Sequence, residues 1–262
     1  MNNQTVLIRG AGEMASAVAV SLNNAGYNVI LTELPVPLAI RRLVSFSDAM
    51  LNGLFQVESI TAVSANITNY IDILGNGNIP ILEDSLDIIG MIKPDFYVDA
   101  RLLKRTVKDR RPLGGFTIGL GPGFRVGANC DVIIETMRGH NLGRIIWEGI
   151  ATPNTGVPGK LGGVSANRVI YSPKTGNINW YVDIGKIVEQ NQLLGKIEGI
   201  EIKSYIGGVV RGLISPKVIV TKGMKVADVD PRGSEVDYNT ISDKARCVGR
   251  GVLEAIMIHL NQ

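Results

Sequence analysis

The stretch Thr5-Val-Leu-Ile-Arg-Gly-Ala-Gly-Glu-Met-Ala-Ser16 constrains this chain more than any other. An apolar run, Val6 to Ile8, reads as a buried strand. It breaks at Gly10-Ala11-Gly12, and a helical pattern of small residues follows from Ala15 to Ala25. This is G-x-G-x-x-A, the alanine form of the dinucleotide fingerprint. Gly10 permits the tight strand-to-helix turn. Gly12 has no Cβ, so a pyrophosphate can approach the backbone. Ala15 lets helix and strand pack closely. Ala11, Glu13 and Met14 complete the turn, whose free N–H groups and helix dipole face an anion. A second strand, Tyr27 to Thr32, ends in Glu33. An acidic residue about twenty positions past the turn is where an acceptor for ribose hydroxyls is expected. The plainer reading is a Gly-rich βα turn that binds nothing.

The chain has 262 residues, room for one large domain or two modest ones. Hydrophobic residues make up 45% and charged residues 19%, which fits a soluble globular protein and argues against disorder. A net charge of +3 implies neither nucleic acid nor an anionic membrane. Two cysteines, Cys130 and Cys247, lie far apart, which argues against a disulfide framework or a structural zinc site and makes the cytoplasm the default. No metal site is expected. No apolar run approaches the length that spans a bilayer, and the N-terminus does not read as a secretion signal.

After Glu33, Leu34-Pro-Val-Pro-Leu38 excludes a helix until Leu38, and Ala39 to Met50 then reads as helix. Arg41, with Arg42, would lie near a ribose or second phosphate; a solvated helix face is the alternative. Strands and helices alternate through about residue 100, which predicts a mostly parallel sheet. The strand Asp95 to Arg101 places Asp99 and Arg101 at its C-terminal end, where open α/β sheets bind ligands. Lys104, Arg105, Lys108, Arg110 and Arg111 form a basic segment, read as a solvated surface or as a cradle for an anion. A second Gly-rich element, Gly119-Leu-Gly-Pro-Gly123, follows a short strand. Gly119, Gly121 and Gly123 would expose backbone N–H groups in an anion-binding concavity. His140, one of two histidines, sits in the polar loop Arg138 to Arg144. It is a candidate for catalysis, with a scaffold role as the alternative. Thr152 to Gly163 is a third Gly/Pro-rich stretch, a linker or a loop that closes over a site.

From Arg168 the pattern changes to short strands. Val188 to Ile197 superimposes on Val220 to Val229, a two-copy repeat that fits a pseudo-symmetric β-module. It resembles the barrel-sandwich fold of biotinyl and lipoyl carrier domains over about Val169 to Val229. The middle, Ile197 to Gly208, lacks the Met-Lys-Met tip that carries the prosthetic group, so a structural or docking role fits better. Ser242 or Thr240 caps a last helix whose apolar face is Val248, Val252, Leu253 and Ile256. The expected organisation is a Rossmann-like α/β domain over residues 1–165, a β-module over 166–234, and a C-terminal helix over 235–262 that packs back on the first domain. Asp230, Arg232, Asp243 and Lys244 would line an interdomain cleft or simply cap and pair.

Several motifs together carry a resemblance over nearly the whole chain. They are Ile8-Arg-Gly-Ala-Gly-Glu-Met-Ala-Ser16, Glu33-Leu with Pro37-Leu-Ala-Ile-Arg-Arg42, Gly119-Leu-Gly-Pro-Gly-Phe124, and Glu135-Thr with Arg138-Gly-His140. Asn154-Thr-Gly with Pro158-Gly159, Asp228-Val-Asp-Pro-Arg232 and Ile241-Ser-Asp-Lys-Ala-Arg246 complete the set. The set resembles the YqeB-type accessory proteins associated with selenium-dependent molybdenum hydroxylases. The resemblance implies a cytoplasmic role in maturing such a hydroxylase, with the hydroxylase or its maturation machinery as partner. The expected ligand is a nucleotide or dinucleotide, either NAD or molybdopterin cytosine dinucleotide. Two other functions stay open: an NAD-dependent oxidoreductase, and a docking protein without chemistry. Self-association to a homo-oligomer is also open. Thiol chemistry at Cys130 or Cys247 is the weakest alternative, because neither has an activating neighbour in the sequence.

Overall fold

The computed structural model describes residues 4–107, 115–156, 163 and 166–262. The chain divides into two compact units. One comprises Met1–Pro35, Ser45–Asn154 and Ile241–Gln262, and the other Val36–Val44 and Thr155–Thr240. The second unit therefore starts near residue 155 and also takes the proline-flanked segment after Glu33, which the sequence assigns to the first domain. Gly212 explains how that segment is accommodated. A Cβ there would stand 2.6 Å from the Ile40 carbonyl oxygen, so only glycine lets the two backbones come this close.

The first unit is built on a nine-stranded sheet. Its chain runs β1 (Thr5–Arg9), α1 (Glu13–Asn24), β2 (Asn28–Glu33), α2 (Ala49–Asn52), β3 (Leu54–Val57), β4 (Ile60–Ser64), α3 (Tyr70–Gly75), β5 (Ile79–Glu83), α4 (Leu86–Ile92), β6 (Phe96–Asp99), β7 (Phe116–Leu120), β8 (Val132–Ile134) and β9 (Ile145–Ile146). The sheet order is β3-β4-β5-β2-β1-β6-β7-β8-β9. Pairing is parallel from β4 to β8, and only the two edge pairs are antiparallel. Central strands of such a sheet are covered on both faces, which is why β1 and β2 read as unbroken apolar runs. Val6 and Ile8 face one core with α1 and the C-terminal helix; Leu7 and Ile30 face another with α3 and α4.

The expected helix from Ala39 to Met50 does not form. Two single 3₁₀ turns, Arg42–Val44 and Phe46–Asp48, precede the four-residue α2. The amides that would continue a helix are used elsewhere. Phe46 N–H donates to Ser16 Oγ at 2.8 Å, and Ser47 N–H to the Ala11 carbonyl at 3.0 Å. These bonds tie the segment beneath the glycine turn.

The second unit carries β10 (Val169–Tyr171), β11 (Gly176–Trp180), β12 (Ile187–Val188), β13 (Leu193–Ile197), β14 (Ile200–Lys203), β15 (Gly208–Leu213), β16 (Ile219–Val220) and β17 (Lys225–Asp230). They form two antiparallel four-stranded sheets, β10-β17-β15-β12 and β14-β13-β11-β16. A shift of thirty-two positions converts one sheet order into the other. Ser172 corresponds to Ser204 and Gly176 to Gly208, both glycines at φ +151°. The bonds repeat as well. Gly223 N–H donates to the Ser172 carbonyl, as Asn191 N–H does to that of Ser204, each at 2.8 Å. Val188, Leu194 and Ile197 are buried in one copy, and Val220, Val226 and Val229 in the other.

The last helix, α5 (Asp243–Leu260), belongs to the first unit. Ser242 caps it, its Oγ accepting the Ala245 N–H at 3.3 Å. Gly249 lies against α1, where a Cβ would meet the Ala17 carbonyl oxygen at 2.7 Å. Small residues on both helices thus set their spacing, and α5 fills the same core as α1.

Candidate functional site

The chain leaves β1 toward β2 on one side and, later, enters β6 on the other side. Strand order therefore reverses at the β1/β6 boundary, the place where open α/β sheets form a ligand crevice at the C-terminal strand ends. The glycine turn sits there. Gly10 has φ +98°, the left-handed region that glycine enters without strain, and its N–H donates to the Thr32 carbonyl at 2.8 Å. A Cβ at Gly10 would stand 3.4 Å from the Ala100 carbonyl carbon and the Arg101 nitrogen. Gly12 differs: it is the N-cap of α1, makes no side-chain cap, and has no atom within 4 Å of where its Cβ would point. Gly10 is thus required by the fold, while Gly12 leaves open space at the helix N-terminus. Met14 and Ala15 are buried behind it, and Glu13 occupies the first turn.

Glu33 closes β2 and reaches the turn. Its carboxylate accepts the Ala11 N–H at 2.8 Å and its neighbour Leu34's N–H at 2.7 Å. Burial pushes its pKa up, and the two N–H bonds oppose that shift. Beside it, Arg9 grips Asp84 through Nε and Nη2 at 2.8–3.0 Å, and Thr32 Oγ1 donates to the same carboxylate at 2.9 Å. This buried pair fixes the ends of β1, β2 and β5. Sequence reasoning did not find Asp84, because nothing local marks it as the partner of a residue seventy-five positions away.

Asp99 and Arg101 lie on the other side of the crevice. They form a 2.6 Å ion pair, and Asp99 is almost fully buried. That pairing makes Asp99 an anchor for the Arg101 guanidinium. Gly119 is in register with Asp99 across the β6–β7 ladder, so the second glycine loop emerges at the same sheet edge. Its glycines, however, are packed against protein. A Cβ at Gly119 would meet the Phe124 ring at 2.3 Å, one at Gly121 the Thr136 hydroxyl at 2.3 Å, and one at Gly123 the Arg105 carbonyl oxygen at 2.3 Å. Gly121 also spends its N–H on the Ile134 carbonyl. Close packing accounts for the glycines here.

The remaining candidates are dispersed. His140 is exposed on the loop between β8 and β9. Arg41 is buried in the second unit, where its Nη2 donates to the Tyr238 and Thr240 carbonyls at 3.4 Å; it does not lie on a solvated helix face. Asp230 pairs with Arg232 at 2.8 Å, and Asp243 with Arg138 at 2.9 Å. Lys108, Arg110, Arg111, Pro158 and Gly159 lie outside the described residues. Cys130 is buried, and Cys247 donates its Sγ–H to the Leu142 carbonyl at 3.2 Å. Glu135, at the end of β8, accepts N–H bonds from Thr136, Met137 and Thr152. Burial alone would raise its pKa, but those bonds outweigh it and hold the carboxyl below its usual range. Among the described residues no group of three or more His, Cys, Asp or Glu is placed to hold a metal ion. No helix of the described residues is long and apolar enough to cross a membrane.

Fold and site together define an α/β protein with a fingerprint turn at the switch point of a mostly parallel sheet. The chain is 40% identical, over 262 residues, to the Escherichia coli (strain K12) protein named "Uncharacterized protein YqeB". The alignment takes in 99% of this chain and 48% of the relative, so the chain spans about half the length of the curated relative it matches. No protein-family model matches. Among solved structures, the chain is similar to a succinylglutamate desuccinylase from Silicibacter sp. TM1040, with 13% identity and TM-score 0.26, covering 87% of this chain and 84% of the other. It is also similar to the ectoine utilization protein EutE (DoeB) from Ruegeria pomeroyi, with 13% identity, TM-score 0.26, and coverage of 87% and 85%. At TM-scores this low the likeness carries no weight for fold or function.

Proposed function

We propose that the first unit binds a nucleotide, or a nucleotide-bearing molybdenum cofactor such as molybdopterin cytosine dinucleotide, at the β1/β6 crevice. The observation that carries this reading is the contrast between Gly10, which the fold requires, and Gly12, which faces open space at a helix N-terminus. On this reading the N–H groups of the turn hold the pyrophosphate, and Glu33 turns from the Ala11 amide to a ribose hydroxyl. The wider role is accessory: maturation of a selenium-dependent molybdenum hydroxylase in the cytoplasm. The second unit, with its paired pseudo-symmetric sheets, is read as a barrel-sandwich-like docking module without a carrier lysine. Glu33 also suits the adenine ribose of NAD, so an NAD-dependent oxidoreductase is the second reading.

Thermal-shift measurements with CTP, NAD, NADP and molybdopterin cytosine dinucleotide test the proposal. A ligand at a hundred times its Kd should stabilise the protein by about 2.7 kcal/mol. Gly12→Glu should abolish the shift, while the unliganded melting temperature stays close to that of wild type. If no nucleotide shifts the wild type, the turn does not bind one. Co-purification of the hydroxylase, with and without residues 166–234, tests docking; equal recovery removes the module as the contact.

A further inference from the structure

The turn Asp228-Val-Asp-Pro-Arg232 brings two guanidiniums to one carboxylate within the second unit. Arg232 already satisfies Asp230. Asp230 Oδ1 accepts the Arg232 backbone N–H at 3.2 Å and Nε at 2.9 Å, and Oδ2 accepts Nη2 at 2.8 Å. Arg211 of β15 approaches the same Oδ2 only to 3.6 Å, through Nη1, which is beyond hydrogen-bond reach. That is its one ion pair among the described residues. Arg211 is more than nine-tenths buried, and its Nε is sealed from solvent without a hydrogen-bond partner. A guanidinium carries five N–H donors and cannot shed its charge. Burying one with a donor unmet is costly unless an acceptor is supplied.

The internal repeat shows that the fold does not demand this arrangement. Thirty-two residues earlier, Asn179 stands for Arg211, Glu198 for Asp230 and Ile200 for Arg232. Asn179 is exposed, and Glu198 accepts the Asn177 N–H at 2.8 Å. One copy therefore closes this corner with no arginine at either place. In the other copy the segment Val36–Val44 lies against Gly212, the residue after Arg211, and Arg211 is buried. We propose that Arg211 and Arg232 form a site for an oxyanion, a phosphate or carboxylate group that places two oxygens along the Nε edge of Arg211. A planar guanidinium meets such a pair of oxygens with two parallel hydrogen bonds. One negative charge on the ligand balances the cation that Asp230 leaves over. Arg232, whose side chain is 41% exposed, is the member of the pair that solvent reaches. The site belongs to the second unit and does not depend on the nucleotide reading of the first.

The test uses the full chain and titrates inorganic phosphate, acetate and chloride at constant ionic strength, reading the melting temperature. Phosphate or acetate should raise that of the wild type, and the stronger of the two tells the sources apart. Chloride, which has no edge of two oxygens, should not. Arg211→Met should weaken oxyanion binding by roughly tenfold or more, the scale of lost charge-assisted hydrogen bonds. In chloride alone it should melt no lower than wild type, because an unmet buried cation has been removed. If Arg211→Met does not fold, Arg211→Lys keeps the charge without the planar edge and should bind severalfold more weakly than wild type. Gly12→Glu should keep the oxyanion response; its loss there would assign the response to the first unit and overturn the site. A wild type that responds to no oxyanion, or equally to chloride, overturns it too. So does an Arg211→Met melting temperature lowered alike in chloride and phosphate, which would make Arg211 a structural partner of Asp230.

Discussion

The Glu33 carboxylate accepts the Ala11 amide at 2.8 Å, so the acid expected to meet a ribose is bonded to the glycine turn itself. Burial raises its pKa above the unfolded value. For a raised carboxyl, the linked stability is full below the unfolded pKa and is lost as pH rises through the folded pKa. Glu33→Gln removes that dependence. Melting temperatures of wild type and Glu33→Gln, followed from about pH 4 to 7.5, should therefore change in the variant's favour as pH rises. The lost second acceptor gives the variant a constant offset, so the trend with pH is the readout. A gap independent of pH would show that Glu33 titrates alike in folded and unfolded chains.

Gly208 and Gly176 are equivalent by the thirty-two-residue repeat and share φ +151°, yet they face different neighbours. A Cβ at Gly208 would lie 2.1 Å from the Asp230 carbonyl oxygen, whereas one at Gly176 would meet the Glu198 side chain at 2.2 Å. Backbone cannot move aside as a glutamate can. Gly208→Ala should thus lose more stability than Gly176→Ala, by about 1–3 kcal/mol. Urea unfolding of both variants measures the difference, and equal losses would mean that backbone strain alone sets both.

Asp230 is fully buried between Arg232 at 2.8 Å and Arg211 at 3.6 Å. Burial would raise its pKa, but the Arg232 bonds and the Arg211 charge outweigh it and lower the value. With a lowered pKa, the stabilisation is present above the unfolded carboxyl pKa and is lost as pH falls through the folded one. Asp230→Asn leaves Arg211 buried beside a neutral group and should cost about 3–5 kcal/mol at neutral pH. The deficit should shrink in acid. Denaturant midpoints at about pH 7 and pH 3 check this; a constant deficit would assign the loss to packing instead of charge.

The parallel sheet and the terminal helix were legible because their signals are local. Val6 to Ile8 is apolar on both faces, and Ser242 precedes a helical apolar stripe. The segment after Leu38 was not legible, since its amides bond to Ser16 and Ala11, about thirty residues away, and no helical propensity registers that competition. The Gly119–Gly123 loop shows a related limit. A glycine needed for an anion and a glycine needed for Phe124 or Thr136 look alike in sequence. The repeat was visible at Val188 and Val220 but reaches back to Ser172 and Ser204, where conserved backbone bonds carry the correspondence more than side-chain identity. Gly249 against Ala17 depends on how two distant helices pack, which no single window contains.

The packing of Gly249 on Ala17 also sets a schedule for synthesis. The fingerprint helix is made early, but the helix that covers it is encoded after the whole of the second unit. At ordinary elongation rates of about 5–20 residues per second, α1 waits on the order of tens of seconds for its neighbour. During that interval the small-residue face around Ala17 and Val18 is uncovered, while most of the second unit has already emerged and can close on itself. The cover of the fingerprint helix is thus among the last parts of this chain to be made, and a truncation anywhere before Ile241 would leave that helix without its packing partner.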